Sequence, residues 1–182
     1  NLSASPAEFQ LLYHINIGPP VLGNGSEVVV PVKRMMPRDP VAVPGLPRWT
    51  SYGPPEPGKP EEAFYFDLQA DDQQQTAVLL KNPHGDRGVS VHFNTRQLPC
   101  FTLWKNETAE ADGYVTGLEP ATNYPNSRSF ETERGRVVSL APGGTYTSEV
   151  QLQVHPTDEA VSRTQQYVQS LVRQPAKIQD QP

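Results

Sequence analysis

Short runs of alternating apolar and polar residues, separated by turn-forming residues, dominate the chain. Segments 62–70, 74–82 and 87–94 read EAFYFDLQA, QQTAVLLKN and RGVSVHFN. Runs of this length that are rich in aromatic and β-branched residues are typical of strands. The residues between them, 70–73 and 82–86, have the composition of hairpin turns. We therefore expect an antiparallel meander in this part of the chain.

A strand is also predicted near the beginning of the chain. Residues 9–18 read FQLLYHINIG, and the alternation gives one apolar face and one mixed face. His14 and Asn16 are neighbours on the mixed face. A single histidine in a strand is usually structural, whereas a histidine and an asparagine on one face are candidates to contact the same ligand.

The end of the chain combines a last strand with a helix. Segment 145–154 (TYTSEVQLQV) predicts a strand that is covered on one side only. Its inward residues are expected to be Val150, Leu152 and Val154. Thr157 is a predicted N-cap, and the apolar stripe that follows it ends before Pro175. We expect this tail to be the only helical part.

Between the early strands and the meander lies a proline-rich segment, residues 35–60, in a chain that contains 20 prolines. Proline fixes φ and removes a backbone donor, so extended structure is expected here rather than helix. Trp49 and Tyr52 in this segment either offer flat apolar faces to a sugar ring or anchor the loop to the core.

Composition excludes several classes of function. The formal net charge is -5, so the chain has no basic field for nucleic acid or for an anionic membrane surface. The single cysteine, Cys100, excludes an internal disulfide and any site built from several cysteines, and the histidines lack ligand spacing, so we expect no metal site. No apolar run reaches 18 residues. These features predict a cytoplasmic protein, and because the first residue is Asn1 rather than Met we expect a piece of a longer chain.

The most informative stretch is 112–126, DGYVTGLEPATNYPN. Alternation from Gly113 places Glu119 and Gly117 on one face of a strand, and Pro120 is expected to end that strand. A glycine beside a carboxylate leaves a gap that either admits another strand or leaves room for a ligand. The competing interpretation is a solvated glutamate at the rim of a sheet.

Four blocks carry a resemblance to a known family: HINIGPPVLG, VKRMMPRDP, LPCFTLWKN and DGYVTGLEPATNYPNSRSF. They resemble the C-terminal half of the aldose 1-epimerase (galactose mutarotase-like) superfamily, and most closely its DUF4432 branch. The resemblance implies an all-β fold, a large antiparallel β-sandwich with one C-terminal helix. Residues 1–156 would then be the C-terminal portion of the sandwich domain and 157–182 the helix and tail. Family chains are longer, with a first half that is missing here.

The resemblance also implies roles for individual residues. Glu119 in GLEPATN corresponds to the general base of mutarotases, and His14 in YHINIG corresponds to the general acid. Beside these motifs, the expected substrate-binding residues are Asn16, Trp104, Lys105 and Asn123. Ring opening of a sugar by an acid and a base requires no cofactor.

The chain departs from the superfamily pattern where mutarotases carry an Asp-His motif, because EEAFYFDL has Glu61 and Glu62 there. Three hypotheses follow for function: an aldose 1-epimerase, a non-catalytic carbohydrate-binding domain of the same fold, or a structural domain. The expected partners are a small sugar and either the missing first half or a second copy of the chain, with no nucleic acid and no membrane.

Overall fold

The computed structural model describes residues 1–180 and consists mainly of short β-strands. The strands are β1 (Ala7–Phe9), β2 (Ile15–Ile17), β3 (Glu27–Val29), β4 (Val32–Pro37), β5 (Glu62–Leu68), β6 (Gln75–Lys81), β7 (Gly88–Asn94), β8 (Cys100–Asn106), β9 (Val115–Ala121), β10 (Val138–Leu140), β11 (Val150–His155) and β12 (Lys177–Ile178). The helices are α1 (Arg128–Glu133) and α2 (Asp158–Ser170), with short 3-10 turns at Val43–Arg48 and Glu110–Asp112.

Two sheets pack face to face, and the apolar core lies between them. One has six strands in the order β12-β4-β5-β8-β9-β2, the other has four in the order β11-β7-β6-β3, and β1 pairs separately with β10. Nearly all neighbours are antiparallel, the exception being the pair of β12 with β4. Phe66 and Phe101 of the larger sheet and Phe93 of the smaller one belong to a single buried cluster. The all-β sandwich expected from the sequence is therefore confirmed.

The meander expected for β5, β6 and β7 is only half correct. β6 and β7 form the antiparallel hairpin. β5, however, pairs with β4 and β8 in the six-stranded sheet, so the turn after it crosses from one sheet to the other. A similar crossing occurs at Pro31, between β3 and β4, where a missing backbone donor costs no ladder hydrogen bond. Composition identifies a turn but not the sheet that the next strand joins.

The last strand differs from its expectation in burial. β11 lies at the edge of the four-stranded sheet, and Leu152 and Val154 pair with Val91 and Val89 of β7. Leu152 is 52% exposed and Val154 is 72% exposed. The core-facing side of β11 was predicted correctly, because Val91, the partner of Leu152, is buried in the core. Within the described residues, however, nothing covers Leu152 and Val154 on that side.

The helices also differ from the sequence prediction. α2 is the expected tail helix, and the Thr157 side chain caps it by accepting from the backbone N–H of Ala160. It packs through Val161 and Val168 on the outer face of the four-stranded sheet. The structure adds α1, which the sequence analysis did not predict, after the loop that follows β9. Within residues 1–180, no helix is long and apolar enough to cross a membrane.

The proline-rich segment folds back over the sandwich. Contrary to the expectation of extended structure alone, Val43–Arg48 forms a 3-10 helix. Trp49 packs against Phe66 at 5.2 Å between ring centroids, and the Tyr52 hydroxyl lies 2.8 Å from Thr116 Oγ1. Both aromatic residues therefore anchor the segment to the core.

Candidate functional site

A cavity of about 280 Å³ lies on the outer face of the six-stranded sheet, where β5, β8 and β9 run side by side. The register pairs Thr102 with Glu119 and Trp104 with Ala63, so alternation brings these side chains to the same face. The end of β4 adds Arg38, and the residues before β2 add His14. Strand pairing therefore collects polar groups from distant parts of the chain around one cavity.

Glu119 is the buried carboxylate of this cavity, with only 2% of its surface exposed. Burial raises its pKa to about 7, because a carboxylate removed from water is less stable when charged, although His14 and Arg38 oppose the shift. β9 continues to Ala121, so Pro120 does not end the strand as expected. At neutral pH, Glu119 is therefore divided between its charged and neutral forms.

His14 faces Glu119 across the end of β2. Its Nε2 lies 3.0 Å from Glu119 Oε1, while Asn16 Oδ1 lies 2.8 Å from Nδ1 on the other side of the ring. Because an amide oxygen only accepts, Asn16 holds the proton of Nδ1 and leaves Nε2 directed at the carboxylate. The arrangement fixes the orientation of the ring and couples the histidine to the glutamate.

Oε1 of Glu119 is also the one buried side-chain oxygen or nitrogen within residues 1–180 that lacks a well-aligned hydrogen bond. The nearby Nε2 of His14 is at ion-pair distance but is not aligned as a hydrogen-bond donor. A buried, unsatisfied carboxylate oxygen is costly and rare in folded proteins. Because this oxygen lies at a cavity, a hydrogen-bond donor of a bound ligand would satisfy it.

Gly117 explains how the carboxylate reaches this position. A Cβ at Gly117 would collide with Oε1 of Glu119. The gap that the sequence predicted beside Glu119 exists, but the carboxylate itself folds back into it. Glycine at this place therefore allows Glu119 to turn along its own strand toward His14.

Trp104 forms one wall of the cavity. Its ring meets His14 edge to face at 5.4 Å between centroids, and its indole N–H donates to Glu61 Oε2 at 2.8 Å. Glu61 in turn accepts from Arg38 at 3.0 Å. From the sequence, Glu61 is only a departure from the mutarotase pattern, and a loop salt bridge is favoured for Arg38 over a place in the site; Arg38 does pair with Asp39 at 2.6 Å. The sequence signal for Glu61 was the alternation that places it on the same face as Ala63. This signal became informative once β5 was known to lie beside β8.

Two of the six site residues expected from sequence lie elsewhere. Lys105 follows Trp104 and so faces the sandwich interior, where it is 1% exposed and donates to the carbonyl of Ser51 at 2.7 Å. Asn123 is buried in the loop after β9, and its amide donates to the carbonyl of Tyr124 at 2.6 Å. It borders a neighbouring depression that shares only Leu12 and Pro125 with the cavity. The structure thus brings together Glu119, His14, Asn16 and Trp104.

The titratable groups of the cavity do not form a metal site. Within the described part of the chain, no group of three or more His, Cys, Asp or Glu side chains is placed to hold a metal ion. Cys100 is buried on the same sheet, and burial raises the pKa of its thiol to about 12. Apart from Glu61, which is engaged by Trp104 and Arg38, the cavity offers one carboxylate, Glu119, and one imidazole, His14, that can exchange a proton.

Two solved structures resemble this chain in fold, one of them closely. A crystal structure from Klebsiella pneumoniae, titled as that of "a putative aldose 1-epimerase", matches 98% of the chain with 32% identity and a TM-score of 0.93, and the match covers 46% of that protein. The Slr1438 protein from Synechocystis sp. PCC 6803 matches 86% of the chain at 18% identity with a TM-score of 0.51, over 48% of its own length. The chain thus spans about half the length of each. No curated protein matches the sequence.

The sequence itself matches one family model, that of the domain of unknown function DUF4432. The match runs over residues 1–154, which is most of the chain and includes every strand of the cavity. The chain belongs to the DUF4432 family and has an aldose 1-epimerase-like fold.

Proposed function

We propose that this protein interconverts the anomers of a sugar by opening and reclosing its ring, as an aldose 1-epimerase does. The observation that carries the proposal is the coupled pair of Glu119 and His14 at one cavity, with Oε1 of Glu119 buried and unsatisfied. The resemblance in fold to the Klebsiella protein supports the same reaction class.

The proposed reaction transfers two protons. Glu119 removes the proton from the anomeric hydroxyl. At the same time, His14 in its protonated form donates a proton to the ring oxygen, and the bond between the ring oxygen and C1 breaks. The open aldehyde rotates about the C1–C2 bond and closes on its other face. Glu119 then returns its proton to the oxygen at C1 and His14 recovers its own. The pair ends in its starting state, so the step needs no further reactant.

Closeness of the two side chains suits this chemistry. The anomeric hydroxyl and the ring oxygen are bonded to the same carbon, so an acid and a base that lie side by side can each reach one of them. A ligand that enters the cavity would place its hydroxyl at Oε1 and its ring oxygen at Nε2, where the two groups now face each other. Asn16 would act as a positioning residue, because its contact with Nδ1 orients the imidazole.

Trp104 supplies the apolar surface that such a ligand requires. One face of a pyranose presents C–H groups, and a half-buried indole can stack on them. Because the indole N–H is held by Glu61, the ring is fixed before a ligand arrives. We assign Trp104 to sugar positioning and not to proton transfer.

The test is the rate at which a pure anomer equilibrates with the natural protein and with Glu119→Gln. We expect the substitution to lower kcat/KM by about a hundredfold or more, since a positioned acid or base typically contributes that much. Folding and sugar binding should be retained, because an amide matches the carboxylate in size. Glu110→Gln, at an exposed position, is the matched control and should be as active as the natural protein.

The pH dependence gives a second readout of the same experiment. Glu119 must be charged to accept a proton, and its pKa is about 7. The kcat/KM should therefore fall about tenfold per pH unit as the pH drops below that value. A natural protein that binds sugar but does not accelerate anomer exchange would contradict the proposal and indicate the binding domain instead.

A further inference from the structure

A second cavity, of about 340 Å³, adjoins the first on the same face of the six-stranded sheet. We call it the arginine cavity, because its lining includes four guanidinium groups. These are Arg34, Arg38, Arg134 and Arg136. Within the described residues no carboxylate lines it. In a chain with a net charge of -5, a cavity lined by four cations and no anion is unexpected.

Three of these arginines are held in place by carboxylates that stand outside the lining, and one of the three, Arg38, pairs with both Asp39 at 2.6 Å and Glu61 at 3.0 Å. Arg34 donates from Nε to Asp67 Oδ2 at 2.8 Å, and Tyr124 is a further hydrogen-bonding neighbour of its guanidinium. Arg136 donates from Nε and Nη2 to the fully buried Glu131, and this pair does not use its Nη1. A guanidinium carries five N–H donors, so these pairs orient each group without exhausting it.

Arg134 is different because it has no ion pair within residues 1–180. It follows α1 directly, is exposed, and its guanidinium lies 4.8 Å from the centre of the Phe130 ring. Arg134 is therefore the one lining guanidinium that no carboxylate of the described residues holds within ion-pair distance. A preorganised group of guanidinium donors is the usual protein site for phosphate, sulfonate or carboxylate groups.

Arg38 connects this cavity to the candidate site. It lines both cavities, and Glu61, to which it donates at 3.0 Å, lines the one that contains Glu119. The two cavities thus share the Arg38 side chain, so a sugar bound in the first would carry its substituent toward the second. A purely structural role would account for the three paired arginines but not for Arg134, which has no ion pair among the described residues.

We propose that the arginine cavity binds an oxyanion substituent of the sugar, so that the substrate class is an acidic aldose that carries a phosphate, sulfonate or carboxylate group. This inference rests on the proposed function for the sugar ring and adds the recognition of the charged group. Tyr65, which borders the arginine cavity and packs on Tyr124 at 4.6 Å between ring centroids, would form its floor.

The experiment measures ligand binding by calorimetry on the natural protein, on Arg134→Gln and on Arg128→Gln. Arg134 is the best position to change because it has no buried partner, so its loss leaves no carboxylate unpaired. Arg128 is exposed on α1, outside the cavity, and serves as the matched control. The probes are inorganic phosphate, glucose, glucose 6-phosphate, the corresponding 6-sulfonate and glucuronate.

Arg134→Gln should weaken inorganic phosphate and at least one acidic sugar by about tenfold, the effect expected of one lost bond to a charged group, and leave glucose unchanged. Arg128→Gln should change none of them. The relative affinities of the three acidic sugars identify the oxyanion that the cavity prefers. Inorganic phosphate tests the cavity independently of the position at which the sugar carries its charged group.

The two proposals fail in different ways. Anomer exchange of glucose with no Arg134-dependent binding of any anion would overturn the acidic substrate and leave the proposed reaction standing. Arg134-dependent anion binding with no acceleration of anomer exchange would retain the anion site and refute the reaction. Equal losses in Arg134→Gln and Arg128→Gln would show a general charge effect and refute the site.

Discussion

At the scale of single residues, the site depends on the direction that the side chain of Glu119 can adopt. Alternation along β9 places Gly117 and Glu119 on the same face, and this much follows from the sequence. The fold adds that Glu119 lies back over Gly117 and meets His14, whose strand pairs with β9 on its far side from β8. The glycine is therefore part of the acid–base arrangement although it has no side chain.

Gly117→Ala tests this dependence. A methyl group at Gly117 would occupy the place of Oε1, so Glu119 must move away from His14, whereas a strand accepts alanine without backbone strain. We expect kcat/KM for anomer exchange to fall about tenfold or more, since a misplacement of about 1 Å can cost that much. The melting temperature should change little.

Gly23→Ala is the control, because nothing lies within 4 Å of a Cβ at that position. It should match the natural protein in both rate and stability. Full activity of Gly117→Ala would show that the contact between Glu119 and His14 is not required.

At the scale of elements, the proline-rich segment is held by a buried network of charges on the inner side of β8. Lys105 Nζ lies 3.7 Å from Glu107 Oε2 and 4.5 Å from the centre of the Tyr52 ring. Burial lowers the pKa of the Lys105 ammonium, while Glu107 and Glu62 favour its charged form. Glu107 also contacts Lys59 at 3.2 Å, so two lysines, one in the segment and one in the strand, share one carboxylate.

Lys105→Met distinguishes this anchoring role from the sugar-binding role expected from sequence. Removing one partner of a buried ionic group leaves the others uncompensated, so we expect a loss of about 2–4 kcal/mol in the free energy of unfolding. The KM for sugar should remain unchanged, because Lys105 lies on the opposite side of the sheet from the cavity. Urea unfolding and anomer-exchange kinetics measure the two effects.

Lys33→Met, at an exposed position of β4, controls for the loss of one positive charge. It should leave the unfolding free energy within about 0.5 kcal/mol of the natural value. A raised KM in Lys105→Met with unchanged stability would reverse the assignment.

At the scale of the whole molecule, one edge of the sandwich remains open. Leu152 and Val154 are exposed on the core-facing side of β11, while equivalent residues in the middle of the sheets are fully covered. The solved structures that resemble this chain are about twice as long. Within residues 1–180, the apolar core therefore ends at this edge without a covering strand.

A pair of leucine substitutions measures this difference. Leu103 on β8 is fully buried, so Leu103→Ala should cost about 2–5 kcal/mol of unfolding free energy. Leu152→Ala should cost less than about 0.5 kcal/mol if β11 is as exposed as described, since surface substitutions rarely cost more. Urea unfolding of the natural protein and of the two variants gives both differences. A cost above about 1.5 kcal/mol at Leu152 would mean that a segment or partner outside residues 1–180 packs on β11.

Much of the fold was predictable because its causes are local. Alternation identified β5 to β9, turn composition located most of their ends although β9 continues past Pro120, and Thr157 marked the start of α2. The same local rules missed α1, and they assigned β5 to a hairpin with β6, because neither a short helix nor the choice of sheet has a distinct local pattern. The roles of Glu119 and His14 came from resemblance, and their assignment remains a proposal.

The sequence by itself determined most of the strands, the face on which Glu119 lies and the net negative charge, since these depend on residue order and composition. Only the tertiary structure decided that Glu119 meets His14, that Lys105 turns inward while Trp104 turns to the cavity, and that four arginines surround a second cavity beside the first. The physical reason is that register between strands far apart in the chain, together with the burial that it produces, sets these contacts and the raised pKa of Glu119.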